Sequence, residues 1–421
     1  MRFTIPGEPI ALAGYLPEFM ALFGAERWVK RCDQLADEVE RSRYIHKIVL
    51  DYHWLEMNVC HQWQVFTQES RVDLCALREL NLASLNFVAT AVEIYKQLSE
   101  KGKRVFSGRV IDALKAENGF AALYLEVSLV QRLLSYGFEV DLPDMEGTGQ
   151  FDILFHREGF SAEIECKSQS VDAGRQIHRK HFYRFMATLQ SDKELGQSKR
   201  NQLIFVTLAG RLSADLTQQS LLAGAIRSLA TSDEVLAAEG SGFKLRKYRL
   251  DEIAGVEESL QDQKQLQAAL NRVFGPNLHV AGWQAADGAS IVVMRSTKVD
   301  DTSFPLLEAM RKGASQLTKT RPGFLAVQEH GMMSEDLFLP HVQRRAFILS
   351  GALFGQYKAR HVNAVYVTGY AAVVDEQNRL LTPGFAVTNM RAKPRVKDAH
   401  ATALIDALLR ERRPEASTTP D

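Results

Sequence analysis

The spacing of apolar positions divides the chain into a helical part and two parts where helices alternate with strands. Residues 1 to about 115 read as helical. The stretch 28–63 contains neither Gly nor Pro and is rich in helix formers. A second helical run covers 73–102 and meets Gly102, a residue suited to ending it. The character changes near Asn118. Leu123, Val127, Val130 and Leu134 form one stripe and predict a helix stopped by Gly137. Strand-like runs follow at 138–143, 150–157 and 160–168. Residues 145–149 separate the first two, and Glu158-Gly159 predicts a tight hairpin turn between the second and third. A helical stretch at 173–190 and an apolar run at 201–210, readable as a buried strand, complete the order helix, three strands, helix, strand. Beyond residue 212, helices are expected at 216–230, 258–274, 304–317 and 340–355, and strands at 288–296, 323–330 and 363–374. The expected division is a helical region (1–115), a central domain (116–212), a C-terminal α/β domain (213–410) and a polar, disordered tail (411–421).

Length and composition fit that division. A chain of 421 residues implies two or three domains. Hydrophobic residues make up 46% and charged residues 24%, ordinary values for a chain that buries a core. Lys plus Arg (51) equals Asp plus Glu (51), so the formal charge is zero. That balance excludes a binder held mainly by bulk positive charge and leaves room for a local basic groove. No window approaches the roughly 20 apolar residues of a bilayer span, and Pro6, Glu8 and Pro9 interrupt the N-terminal apolar stretch, which is read as mature protein. Cys32, Cys60, Cys75 and Cys166 form no C-x-x-C pair. Free thiols in a cytoplasmic protein are therefore expected. His53, Cys60 and His61 are read as core residues at helical spacing rather than metal ligands.

Chemistry concentrates in 149–168. Strand alternation puts Phe151, Ile153 and Phe155 on one face and Asp152 on the other. In the next strand Phe160, Ala162, Ile164 and Cys166 share a face, opposite Ser161, Glu163, Glu165 and Lys167. A hairpin register can bring Asp152 beside Glu165 and Lys167. Converging carboxylates are costly unless something neutralises them, and hard oxygen ligands suit Mg²⁺ or Mn²⁺. Such an ion polarises a phosphoryl oxygen and acidifies bound water, while a lysine orients that water or stabilises developing charge. Either Glu165 or Glu163 could serve as the second acid. The competing reading is a salt-bridge ladder on an ordinary hairpin.

This pattern resembles the restriction-endonuclease-like, or PD-(D/E)xK, nuclease superfamily, through Asp152, Glu165-Cys166-Lys167 and the upstream helix acid Glu126. The resemblance spans about 95 residues. Gln150-Phe151 stands where the family name has a proline before the acid, and no Q-x-x-x-Y signature is apparent around Gln176 and Tyr183. The resemblance implies an α/β, restriction-endonuclease-like core, with the helical N-terminal region and the additional C-terminal α/β unit outside it. It implies Asp152 and Glu165 as metal ligands, Lys167 serving the attacking water, Glu126 supporting the metal, and DNA as substrate. Asp262-Gln263-Lys264 also fits D-x-K but lies in a polar helical stretch and is set aside.

The helix after the motif carries Arg175, His178, Arg179, Lys180, His181 and Arg184 among Phe182, Tyr183 and Phe185. Cations neutralise phosphates and aromatics stack on bases. Arg175, Arg179, Lys180 and Arg184 are therefore candidate nucleic-acid contacts, against the alternative of a solvated face over buried rings. The chain has no P-loop, no dinucleotide fingerprint, no H-E-x-x-H and no G-x-S-x-G. An ATPase partner would be a separate polypeptide, and a homo-oligomer is compatible with the sequence. The expectation is a metal-dependent nuclease. The alternatives are an inactive nuclease-fold binding or scaffolding protein, or a hydrolase or transferase centred in the C-terminal half, where His330 and His341 are available.

Overall fold

The computed structural model describes residues 1–73, 78–190, 201–232, 234–285, 288–332, 334–369, 373–374, 380–381, 384–396 and 404. Cys75 and the tail at 411–421 lie outside them. The helices preceding the first strand are α1 (Pro9–Ala13), α2 (Leu16–Phe23), α3 (Ala25–Arg41), α4 (Arg43–Tyr52), α5 (Trp54–Glu69), α6 (Arg78–Gln97), α7 (Glu100–Lys115) and α8 (Ala121–Ser135). Then come β1 (Glu139–Asp141), α9 (Pro143–Glu146), β2 (Ile153–Arg157), β3 (Phe160–Ser170), α10 (Arg179–Gln190), β4 (Gln202–Leu208) and α11 (Leu216–Thr231). The middle of the chain continues with β5 (Ala237–Gly240), β6 (Phe243–Arg249), α12 (Gln263–Phe274), β7 (His279–Ala285) and β8 (Gly288–Ser296). It closes with α13 (Ser303–Gln316), β9 (Gly323–His330), α14 (Pro340–Gly355), β10 (Val362–Gly369), β11 (Val373–Val374), β12 (Leu380–Leu381) and β13 (Gly384–Thr388). The class is α/β, as expected.

The contacts divide the chain differently from the expected boundaries at 115 and 212. One unit gathers 1–36, 49–171 and 303–421; the other gathers 37–48 and 172–302. The second unit is thus built from two segments that interrupt the chain of the first, the longer being 172–302.

The helix expected over 28–63 is broken. Ser42 separates α3 from α4, its hydroxyl accepting from the Tyr44 amide at 3.2 Å, and His53 separates α4 from α5. The run expected to stop at Gly102 stops earlier, because Ser99 starts a new helix. Its hydroxyl accepts from the Gly102 amide at 3.1 Å, so Gly102 lies in the first turn of α7. Cys32 and Cys60 form a disulfide, correcting the expectation of free thiols for that pair, while Cys166 is free and buried.

The sheet of this unit has the order β1-β2-β3-β9-β10-β13. Strands β1, β2 and β3 are antiparallel; β3, β9 and β10 are parallel; β13 is antiparallel to β10. The Glu158-Gly159 turn forms as expected, with positive φ at both residues (50° and 77°). One face packs Ile153, Phe155, Ala162, Ile164, Phe324 and Ala326 in a core with Val127 and Val130 of α8. The other packs Leu325, Val327, Val365 and Val367 against Leu306, Met310 and Ala314 of α13 and Leu349 and Leu353 of α14. Phe151 belongs to this second core, not with Ile153 and Phe155, because it precedes β2 and escapes strand alternation.

Two elements expected beside the motif lie in the second unit instead. The apolar run at 201–210 does form a strand, β4, but its neighbours are β6 and β8. α10 belongs to that unit too. β9 takes the position beside β3, pairing Glu163 with Gly323 through Ser170 with His330. Local periodicity marks both runs as buried strands, and only long-range pairing chooses between them.

The second unit is built on a sheet of order β5-β6-β4-β8-β7. Ile204, Val206, Leu245, Val292 and Met294 pack on one face with residues of α10 and α11. Leu203, Phe205, Ile291 and Val293 pack on the other with Ala269 and Leu270 of α12. From the 37–48 segment, the Tyr44 hydroxyl donates to the Gly282 carbonyl at 2.5 Å.

Leu325 is fully buried between β3 and β10. Leu325→Ala is expected to cost about 2–5 kcal/mol in chemical denaturation. A fragment ending at residue 212, which lacks β9, β10 and β13, is expected to show no cooperative melt by circular dichroism; a sharp transition in it would contradict the interrupted arrangement.

Candidate carboxylate and lysine site

The staggered end of the β2–β3 hairpin builds the site. The last registered pair is Ile153 with Ile164, which sets Asp152, one step before β2, against Glu165. β3 continues to Ser170, so Cys166 lies past the end of β2. Its amide is taken by the Asp152 Oδ2 at 2.7 Å. A buried N–H must find an acceptor, and this one draws the Asp152 carboxylate onto the strand.

Glu165 is 1% exposed and forms an ion pair with Lys167 through Oε1. Lys167 also donates to Gln316 Oε1 at 2.7 Å, and Gln316 Nε2 donates to the Gln150 carbonyl at 3.0 Å. Gln316 is the last residue of α13, and Gly313 lets that helix lie close. A Cβ there would stand 3.3 Å from both Glu165 Cγ and Lys167 Cε and 3.1 Å from Leu325. Glu165 Oε2 is buried and has no hydrogen-bond partner among the described residues.

Glu126 projects from α8 and accepts from Arg109 of α7 at 2.8 Å. Arg109 also bonds Asp144 of α9. Asp152 and Glu165 both repel the Glu126 charge. Glu163 does not join the group. Its carboxylate is fully buried and accepts from the Thr318 amide (2.8 Å), the Thr318 hydroxyl (2.5 Å) and Arg321 (3.1 Å), which anchors the turn between α13 and β9. Of the two open choices, Glu165 is therefore the acid beside Asp152.

Charge in this place is unbalanced. Glu126, Asp144, Asp152 and Glu165 bring four negative charges against the two positive charges of Arg109 and Lys167, a formal 4 − 2 = 2 in excess. Burial, then repulsion from Asp152, pushes the Glu126 pKa up to about 8 despite Arg109. The same two causes raise Glu165 to about 7 against the pull of Lys167. Burial raises Asp152 as well, opposed by the Cys166 amide and Lys167.

Among the described residues no three His, Cys, Asp or Glu side chains form a ready-made metal cluster. A site of two carboxylates is nonetheless the usual protein share for Mg²⁺, which keeps several waters and takes substrate phosphate oxygens. Asp152 and Glu165 fit such an ion: both are hard oxygen donors, Glu165 keeps an unused buried oxygen, and a bound cation would favour the ionised form of acids whose pKa values burial and mutual repulsion raise.

The candidate nucleic-acid contacts belong to the second unit. Arg175 and Arg179 face Asp172, at 3.8 and 3.2 Å. Lys180 is 6% exposed, and Phe182 and Phe185 are core residues. Arg184 is exposed, and Tyr183 stacks on Tyr44 with ring centroids 6.4 Å apart. The α10 aromatics therefore build a core rather than a stacking surface. Asp262, set aside above, caps α12 by accepting from the Lys264 and Gln265 amides. His330 ends β9 with Nδ1 3.1 Å from the Ser168 hydroxyl, and His341 is exposed at the start of α14. Arg109, Asp144 and Gln316 escaped the sequence reading. They come from three separate helices, and nothing in their local spacing links them to 149–168.

The raised acid pKa values set a pH dependence. Between the ordinary 4.5 and about 7–8, the folded chain holds protons on Glu165 and Glu126 that the unfolded chain releases. Stability contributed by these groups is therefore full below 4.5 and declines as pH rises through that window. In thermal melts of the metal-free protein from pH 5 to 8, Glu126→Gln is expected to flatten the decline of Tm. Mg²⁺ should raise the Tm of the native chain more at pH 8 than at pH 5. Identical pH profiles for the two proteins would contradict the assignment.

Set against protein-family models, curated proteins and solved structures, the chain matches none.

Proposed function

We propose that this site hydrolyses phosphodiester bonds with a divalent cation, Mg²⁺ or Mn²⁺, and that the protein is a nuclease acting on DNA. The observation that carries the reading is the buried, partnerless Glu165 oxygen beside Asp152 and Lys167. A divalent ion here supplies Lewis acidity toward a phosphoryl oxygen and acidifies bound water. Asp152 and Glu165 would hold it. Lys167, steered by Gln316, would orient the attacking water and oppose charge building on the phosphoryl oxygens. Glu126, restrained by Arg109, would support the ion from α8.

The resemblance to PD-(D/E)xK nucleases supports this reading in a modified form. The order helix, three strands, helix, strand runs through α8, β1, β2 and β3, and then α13 and β9, with 172–302 inserted between β3 and α13. The choice of DNA rests on that resemblance. The second reading, a non-catalytic binding protein with the same fold, is favoured by the ion pair that closes Lys167 onto Glu165.

Supercoiled plasmid incubated with the protein and Mg²⁺ or Mn²⁺ separates the two. Metal-dependent nicking is expected, with losses of about 10²-fold or more in Lys167→Ala and Asp152→Ala. A folded protein that nicks with neither ion, or equally well in both variants, would exclude the catalytic reading.

A further inference from the structure

Among the described residues of the inserted unit, part of one sheet face is left uncovered. On the face covered by α12, register sets three rows across β6, β4 and β8: Tyr248, Leu203 and Ile291; Arg246, Phe205 and Val293; Lys244, Thr207 and Arg295. α12 buries the first rows and ends at Phe274, where Gly275 caps it. Beyond it lies a cleft of about 530 Å³ bordered by Phe205, Lys244, Arg246, Tyr248, Phe274 and Arg295.

Its floor is layered from flat groups. Phe205 stacks on Phe274 with centroids 4.5 Å apart and planes 23° apart, and Tyr248 meets Phe274 edge-on at 5.4 Å. The Arg295 guanidinium lies 5.1 Å over Phe205 and that of Arg246 5.9 Å over Tyr248. No carboxylate pairs with Arg246 or Arg295 among the described residues, and Lys244 pairs with Glu239 at 3.1 Å. The cleft thus has a net positive charge, Lys244, Arg246 and Arg295 against Glu239, beside the half-buried rings of Tyr248 and Phe274 and the guanidinium planes, with Phe205 buried beneath. A buried apolar ligand would not need three cations, and an inorganic anion would not need the rings. Phosphates with unpaired bases need both: cations track the backbone, and rings or guanidinium planes take the base faces, which a duplex keeps stacked inside.

We propose that this half-covered face of the inserted unit binds single-stranded nucleic acid. The proposal extends the nuclease reading to substrate recognition, but binding itself requires neither metal nor cleavage.

The test is fluorescence anisotropy of labelled dT20 with the full chain in EDTA, with duplex of the same length and free dTMP as competitors. dT20 is expected to bind with salt-dependent affinity and to be displaced by neither competitor at matched concentration. Lys244→Glu with Arg246→Glu should weaken binding at least about tenfold, and Tyr248→Ala at least about fivefold. Arg211→Glu, at an exposed position of the same unit away from the cleft, should leave it unchanged. Because Tyr248 also packs against the core, circular dichroism accompanies each variant, and the charge reversals, at exposed positions, decide the matter if Tyr248→Ala unfolds. No binding of dT20, unchanged binding in the charge-reversed protein, an equal loss in Arg211→Glu, or displacement by duplex as effective as by dT20 overturns the proposal. Binding without plasmid cleavage would sink the nuclease reading alone; cleavage without cleft-dependent binding would sink this one alone.

Discussion

A single backbone amide organises the candidate site. Because β2 starts at Ile153 while β3 runs on to Ser170, the Cys166 N–H outlasts its partner strand, and the Asp152 carboxylate fills the vacancy. That bond holds an acid that would otherwise turn to water, and it does so next to the nearly buried Glu165. The remaining features follow from the crowding. Lys167 folds onto Glu165, Arg109 crosses to Glu126, and the carboxylates still hold protons more tightly than free ones. A protein gains nothing in stability from such an arrangement, since buried like charges repel.

The helix packed over this strand matters as much as the strand. α13 reaches Lys167 through Gln316 and comes close because Gly313 has no side chain to hold it off. Glu163 shares a face with Glu165 in the sequence, yet its three hydrogen bonds spend it on the turn that leads α13 into β9. Two glutamates two residues apart thus have different tasks, one anchoring the helix and the other left partly unsatisfied beneath it. The same division appears in the second unit. Phe182 and Phe185 of α10 are used up in a core, while the half-buried rings of Tyr248 in β6 and Phe274 at the end of α12 remain at a cleft edged by cations.

Much of this was legible in the residue order. The α8 stripe, the Glu158-Gly159 turn, the alternation that puts Glu165 and Lys167 on one face of β3, and the setting aside of Asp262-Gln263-Lys264 as part of a polar helical stretch all rest on contacts within a few residues. Short-range physics of this kind is written locally: periodicity of 2 or 3.6, left-handed turn residues and caps. Expectations failed where a choice between distant partners was needed. Gly102 yielded to the Ser99 cap three residues earlier, and Phe151 lay outside the strand whose alternation it was assigned. Cys32 and Cys60, separated by 28 positions, pair only because α3 and α5 come together.

By itself, the sequence determined the α/β class, the hairpin, and which side chains share the acidic face, because each depends on neighbours along the chain. Tertiary structure alone decided that β9 rather than β4 lies beside β3, and that 172–302 stands as an inserted unit. It also decided that Arg109, Asp144 and Gln316 join the site. The reason is physical: an apolar strand carries the same local signature whichever sheet receives it, and the hydrogen bonds that choose its neighbour form between residues far apart in the chain.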